Sequence, residues 1–571
     1  MKLCGAAILI ECLIEQGVQT LFGFPGGAVL PIYDELYKRE DRISHILTAH
    51  EQHAGHAADG YARATGRTGV CLATSGPGAT NLVTAIATAY MDSSPVVFLT
   101  GNVPQQLMGT DSFQEADILG ITMSITKHSW LVTDVRKLAQ TVREAFFIAK
   151  SGRPGPVLID IPKDVQIAEC EYEPASGQAL IPNYSPDHPA LQLQPYGKQL
   201  EEYKRRVTPY LERACELIQA AQRPLIYAGG GVTDAASELK ALSERMDAPV
   251  ANTLMGLGTI DPQSPMSLGM VGMHGTHAAN IAMQRCDLLL AVGVRFSDRA
   301  LGNAEAFAPG AKVIHIDLDR AEINKNVSTT LHITGHARVV LELLCERLPA
   351  QRHTEWVRQA SSMRENYLQN DLFEPRNVLH ALHEAAGDMT VATDVGQHQM
   401  WTAQYFKINK PRHFISSGGL GTMGFGLGAA IGAKVANPDK TVINVTGDGC
   451  FHMNMQELAT AAKEELQVID ILINNNVLGM VRQWQRLFYG KRFSNTTLDK
   501  KTDYDMVAKG LGANAFTVTN AEEFEAAIQA ALADKTKPAL INCVVNPDNN
   551  VLPMVPGGES IEEPILEISL D

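Results

Sequence analysis

"GDGCFHMNMQELATAAKEELQVIDILINNN", residues Gly447 to Asn476, opens on a carboxylate between two glycines and closes, after an apolar run, on three asparagines. The preceding "KTVINVT" reads as a buried strand, "MNMQELATAAKEE" as a helix and "VIDILINNN" as the next buried strand. A βαβ unit is right-handed with parallel strands, so Asp448 and Asn475 are expected at carboxyl ends on one edge of a sheet. Ligands of open α/β sheets bind at that edge. Asp448 and Asn475 stand 27 positions apart, the length of one strand end, one helix and one strand. A carboxylate and a carboxamide so placed suit Mg2+, which takes one or two protein oxygens and fills its octahedron with phosphate and water. Gly447 and Gly449 let backbone approach a diphosphate. Either dipeptide alone, DG or NN, is an ordinary turn. The two together, at this spacing, point to a site.

The same alternation runs through the chain. "TLFGFPGG", "TGVCLATSG", "SPVVFLTGN" and "GPVLIDIP" are strands of a first α/β series. "RPLIYAGGG", "APVANTL", "CDLLLAVGVRF" and "AKVIHIDLD" belong to a second, and "MTVATDVGQ", "KTVINVTGDG", "QVIDILINNN" and "KPALINCVV" to a third. Three α/β domains follow, each a mainly parallel sheet flanked by helices: residues 1–170, 206–350 and 371–571, with linkers at 171–205 and 351–370. The first linker is rich in Pro, Ser and Gly; the second is charged and helical. No short repeat or low-complexity tract interrupts the pattern.

Composition narrows the class. The chain has 571 residues, 45% apolar and 19% charged, the profile of a multidomain globular protein. It has no apolar run of about eighteen residues that would span a bilayer. The N-terminal "MKLCGAAILIECLIEQGV" has one basic residue and places Glu11 and Glu15 at helical spacing, so it reads as an amphipathic core helix and not a signal peptide. A net charge of −15 without an acidic tract disfavours nucleic acid and leaves anionic small molecules to local sites. Nine cysteines without a CxxC pair read as reduced thiols, which places the protein in the cytoplasm.

A second charged residue draws attention in "LTAHEQHAGHAADGYARATG", where Glu51 follows a short strand and opens a helix of small residues. A helix-start carboxylate favoured by the dipole is the plain explanation. An HExxH metal helix is excluded, because Ala54 stands where the second histidine would be. The "SGPGATN" turn at 75–81 is a further strand-to-helix junction open to phosphate or ring.

The GDG motif with its asparagines resembles the thiamine diphosphate motif of the pyruvate oxidase and decarboxylase superfamily. Nearly the whole chain is similar to one of its families, the catalytic subunits of acetohydroxyacid (acetolactate) synthases. The resemblance is carried by "FGFPGGAVLPIYD", "GTDSFQEADILGIT", "SGRPGPVLIDIPKDV", "SSGGLGTMGFGLGAAIGA", "LGMVRQWQRLFYGKRFS" and "VLPMVPGGE". It implies two thiamine diphosphate-binding folds around a Rossmann-like middle domain. It further implies a transferase that decarboxylates pyruvate and joins the hydroxyethyl unit to a second pyruvate or to 2-ketobutyrate. The products, 2-acetolactate and 2-aceto-2-hydroxybutyrate, lead to branched-chain amino acids.

Residue roles follow from the resemblance. Asp448, Asn475 and the Val477 carbonyl would hold Mg2+; Gln397 and His398 would donate to the diphosphate. Glu51 would face the aminopyrimidine, Met423 would bend the cofactor, and Met480 would contact it. Gly27, Phe113 and Gln114 would line the pocket from the other subunit of a homodimer or tetramer. Trp484 would narrow the acceptor pocket and Arg299 would pair with the acceptor carboxylate. FAD would bind in the middle domain at Gly229, Gly230, Gly231, Thr253, Leu254, Met273, His274, Gly293, Arg295 and Asp317. A small regulatory subunit is a further implied partner. The chain departs from the family pattern at Ser297 and His336, where aspartates are usual, and at Gly428, commonly proline. The first two departures make a flavin-free variant the alternative to FAD binding.

Three other readings compete. A flavin-dependent pyruvate oxidase would turn FAD over. A nucleotide-binding regulatory protein that lost catalysis conflicts with the retention of Glu51, Asp448 and Asn475, and a glyoxylate carboligase conflicts with Glu51.

Overall fold

A computed structural model describes residues 1–175, 198–364, 372–498 and 501–568. Most of the 171–205 linker and the end of the 351–370 linker lie outside them. Within the described parts, a helix already begins at Lys198 and runs to Gln219, so the first linker range takes in its opening turns. The second range contains the helix Thr354–Ser362.

Three parallel six-stranded sheets carry the fold. The first runs, edge to edge, Ser44–Leu47, Thr20–Gly23, Gly69–Ala73, Val96–Asn102, Val157–Pro162, His128–Leu131. The third runs Phe414–Ser416, Met389–Thr393, Thr441–Gly447, Val468–Asn474, Ala539–Val544, Asn514–Val518. Numbered within each sheet in chain order, both have the order 2-1-3-4-6-5. The middle sheet has the order 3-2-1-4-5-6, the doubly wound order of dinucleotide-binding folds. The central strands are almost wholly buried, as parallel strands covered by helices on both faces must be.

The N-terminal segment forms the expected helix, Gly5–Glu15, with Ile8, Leu9, Ile10, Cys12 and Leu13 in the core. A short antiparallel ribbon between Lys2–Cys4 and Glu169–Glu171, not anticipated from the pattern, ties the start of the chain to the end of the first series. The helix Glu51–Thr65 packs directly on Gly426–Ala436 of the third series. The contact is backbone to backbone: a Cβ on Gly60 would lie 2.1 Å from the Ala429 carbonyl oxygen, and one on Gly432 would lie 1.9 Å from that of Ala57. Gly428 sits in the same contact, against the His53 backbone.

Candidate active site

The opening stretch folds as a βαβ crossover whose helical part is divided. Thr441–Gly447 pairs in parallel with Val468–Asn474, with Gly447 opposite Ile473, so Asp448 and Asn475 leave neighbouring strands at the same edge. Between them stand two short helices, Asp448–Asn454 and Glu457–Lys463, in place of the single helix expected. Asp448 is itself the first helical residue. Its carboxylate accepts from its neighbour Gly449 N at 2.9 Å, at the helix end where the backbone dipole favours negative charge.

Asn475 is buried, its side-chain oxygen accepting from Val477 N at 3.2 Å and its amide donating to Gln397 Oε1 at 3.1 Å. Val477 bridges to Thr497 through bonds made by its neighbours, Leu478 N to Thr496 O and Leu498 N to Asn476 O. Asn474 ends the strand and donates to Asn542. Asn476, for which the sequence suggests no role, turns the chain with φ of +58°, a conformation asparagine tolerates better than most residues.

The wall of this edge comes from the neighbouring strand Met389–Thr393, across the point where the strand order reverses. His398 is buried, burial lowers its pKa to about 3, and its ring is therefore neutral with Nε2 unpartnered. That ring fills the space a Cβ on Gly447 would need, 2.8 Å away. Gln397 gives its amide hydrogens to Gln483 and the Asn549 carbonyl and accepts from Asn475, so its side chain braces Asn475. Met423 approaches from the next loop, its Cε 3.5 Å from where a Gly449 Cβ would sit.

A second cluster forms at the equivalent edge of the first sheet. Glu51 opens its helix and accepts from Asn81 at 2.9 Å, with Oε1 3.3 Å from the Cβ position of Gly78. Gln114, at φ of +59°, lies over Gly76, while Phe113 is 87% exposed and Gly27 faces open space. The backbone just before Glu51 is held by a residue the sequence reading passed over. The fully buried Glu457 accepts from Ala49 N, His50 N, His53 Nδ1 and Thr460 Oγ1, all at 2.7–3.1 Å.

The third cluster is a cavity of about 2430 Å³ between the domains. It is lined from the middle sheet by Gly230, Gly231, Thr253, Leu254, Met273, His274, Gly293, Arg295, Arg299 and Asp317, and from the third series by Met480 and Trp484. Gly231 and Gly293 follow the two strands flanking the reversal of strand order in the middle sheet, and their backbones touch. Gly229 is packed behind them against the Gly293 carbonyl, outside the lining. Burial lowers the His274 pKa to about 4, so this ring is neutral too. Ser297 and His336, the two departures, also line the cavity. The Arg299 guanidinium stands 5.8 Å from the Trp484 ring centre, so the middle and third domains meet at the pair expected for acceptor binding.

Comparison with known proteins agrees with this architecture. Residues 3–121 match the family model "Thiamine pyrophosphate enzyme, N-terminal TPP binding domain", 211–344 its central domain and 394–543 its C-terminal TPP binding domain. The acetolactate synthase large subunit of Corynebacterium glutamicum is 47% identical over 98% of this chain and 89% of its own length. The chain belongs to the acetolactate synthase large-subunit family. The probable acetolactate synthase large subunit of Methanocaldococcus jannaschii is 45% identical, over 97% of this chain and 94% of its own. The acetolactate synthase isozyme 2 large subunit of Escherichia coli is 44% identical, over 99% of this chain and all of its own length. Membership thus rests on the full length and on all three sheets.

Proposed function

We propose that the protein decarboxylates pyruvate and transfers the two-carbon unit to a second pyruvate or to 2-ketobutyrate, as a thiamine diphosphate-dependent carboligase. The observation that carries this reading is the meeting of Asp448, Asn475 and Val477 at one sheet edge, with a neutral His398 against Gly447 and Met423 near Gly449. The residues present fit the cofactor's diphosphate and its metal. An unpartnered buried His398 Nε2 offers a donor or acceptor, and Gly447 and Gly449, where a Cβ would strike the His398 ring and the Leu478 side chain, keep the backbone around Asp448 free of side chains of their own. The donors are one carboxylate, one carboxamide and one carbonyl, a set that suits Mg2+ completed by phosphate oxygens.

Thiamine diphosphate, when bound, supplies a carbon nucleophile and an electron sink for the loss of carbon dioxide. The protein's own residues then have definable tasks. Asp448, Asn475 and the Val477 carbonyl would hold the metal, and Gln397 keeps the Asn475 carboxamide in place. Glu51 would hold or move a proton against the cofactor's aminopyrimidine, and Met423 would contact the bound cofactor. Arg299 pairs with the acceptor carboxylate, while Trp484 sets the width of the acceptor pocket.

Two subunits share each site in this reading, Glu51, Gly27, Phe113 and Gln114 serving the cofactor held by the partner chain. FAD would occupy the middle-domain cavity: its size and its glycine turns at the strand-order reversal suit a dinucleotide, and Arg295 on its wall adds positive charge, whereas Arg153 and Arg412 are already paired with Glu322 and Asp234. Ser297 and His336 face that cavity without the usual carboxylates, which leaves less negative charge beside the ligand. The domains are 1–170, 206–350 and 371–571, with the start of the middle one moved back to Lys198, where its first helix begins. The enzyme works in the cytoplasm, alone or with a small regulatory subunit; among the described residues no helix is long and apolar enough to cross a membrane.

The test is purification followed by a pyruvate assay with and without thiamine diphosphate and Mg2+, run anaerobically without an electron acceptor. Acetolactate formation that requires both additions supports the reading; activity that survives removal of both refutes it. A need for an electron acceptor would restore the oxidase reading, which the relatives do not favour.

A further inference from the structure

We propose that the buried Arg63–Asp92 pair of the N-terminal domain is a positioning device for the 416–425 segment, and through it for Met423. The inference rests on the reading that Met423 contacts the cofactor.

Arg63 lies on the helix Glu51–Thr65 and Asp92 closes the helix Val83–Asp92. Both grip one loop of the third series, "SSGGLGTMGF", from Ser416 to Phe425. Arg63 donates to the Ser416 carbonyl at 2.6 Å, and its guanidinium stands 5.1 Å from the Phe425 ring centre. The Asp92 carboxylate accepts from Gly418 N at 3.1 Å and from Gly419 N at 2.7 Å. Thr88, one turn earlier on the Asp92 helix, shares a hydrogen bond of 2.7 Å with Thr422, the residue before Met423. Five contacts thus bracket Met423 on both sides.

The charge count shows what Asp92 is for. Arg63 is already paired in a bidentate way with Asp59, at 2.8 and 2.9 Å. Asp92, whose side chain is fully buried, is therefore a second carboxylate on one guanidinium, at 3.0 Å. Burying an extra charge is costly, and a well-packed apolar residue would serve stability as well or better. What an apolar residue lacks is two acceptor oxygens for consecutive backbone N–H groups. The loop is shaped to receive them: a Cβ on Gly419 would lie 2.8 Å from Asp92 Oδ1. Two further cations approach here, Arg295 donating to the Met91 carbonyl and Arg153 to the Ser93 hydroxyl at 2.7 Å, and both bring the wall of the middle-domain cavity to the same point.

The experiment is Asp92→Asn in the full-length chain, which keeps the side chain's shape but offers only one acceptor oxygen. The first readout is amide hydrogen exchange in cofactor-free protein. Exchange should quicken about tenfold or more in peptides covering 416–425 and stay unchanged in the sheet strands. The second readout is kinetic: kcat falls by about 10- to 100-fold while the KM for pyruvate stays within about threefold. The third is a cycle with Met423→Ala, in which the double variant loses no more than about threefold beyond the more severe single variant. Unchanged exchange at 416–425, or losses that multiply in the cycle, would overturn the proposal. A fully active Met423→Ala enzyme would instead overturn the reading of Met423, whatever the exchange data say of the clamp. Should Asp92→Asn not fold, Thr88→Val removes one bracket beside Met423 and is read the same way, with smaller changes expected.

Discussion

The first and third sheets share one strand order, yet their carboxyl edges carry opposite equipment. The third offers Asp448, Asn475, a neutral His398 and glycines on either side of Asp448, a surface that in the proposed reading would receive negative charge through a metal and donors. The first offers Glu51 at a helix start, with Asn81 beside it and Gln114 over the neighbouring Gly76, a surface that in the proposed reading would exchange a proton. The lesson is that the scaffold determines where a ligand can sit, and the few residues at the strand ends decide which half of the chemistry is done there.

The difference can be broken most severely at Asp448. Replacing it with alanine should lower activity by roughly 10³-fold or more through lost metal binding, worth several kcal/mol. The cofactor requirement should rise with it; a titration of activity against Mg2+ and thiamine diphosphate measures both. Glu51→Gln touches the other edge and should cost about 10²-fold in kcat, as loss of a proton-transfer group does. Here the cofactor affinity should stay near that of the parent, and a large drop in affinity would mean that Glu51 belongs to the binding half after all.

The link between the edges is Glu457, which emerges from the diphosphate segment and holds the backbone before Glu51. Glu457→Leu leaves several buried donors unpaired and should destabilise the fold by about 3 kcal/mol or more, read by urea unfolding. Trp484→Leu should change the ratio of the two products, worth about 1 to 3 kcal/mol in acceptor preference; mixed-acceptor competition reads it, and an unchanged ratio removes Trp484 from the specificity assignment.

The smallest expected effect compares the sheets directly. Each buries one carboxyl group. Burial raises the pKa of Asp160 to about 7 despite hydrogen bonds from Thr100 and Asn102, and that of Asp470 to about 8 against one from Asn444. A raised folded pKa means the native state holds a proton the unfolded chain has released. Both groups therefore lower stability as pH rises from about 4, Asp160 up to about 7 and Asp470 up to about 8, with no further change above. Asp470→Asn should flatten the urea midpoint between pH 5 and 8 more than Asp160→Asn does.

Much of this was legible in the sequence, but unevenly. In every sheet the four strands visible as apolar runs are the four central ones. Of the six edge strands only Ser44–Leu47, before Glu51, is legible as a strand; His128–Leu131, Leu331–Thr334 and Asn514–Val518 are only partly buried and show no run. A strand covered on both faces must be apolar throughout, whereas an edge strand has no such requirement. The site shows the same division. Asp448 and Asn475 were readable because one crossover spaces them. Glu457, Asp92 and the engagement of Gln397 with Asn475 join residues 78 to 408 positions apart.

The sequence by itself determined the three α/β series, the pairing of Asp448 with Asn475 and the family. These depend on local periodicity and on spacing within one unit, which chain connectivity enforces. Only the tertiary structure decided the strand orders, the bracing of Asn475 and the grip of Arg63 and Asp92 on the loop that carries Met423. Such contacts join residues remote in sequence, within one domain or between two, and a buried carboxylate has no signature until its donors arrive from elsewhere in the chain.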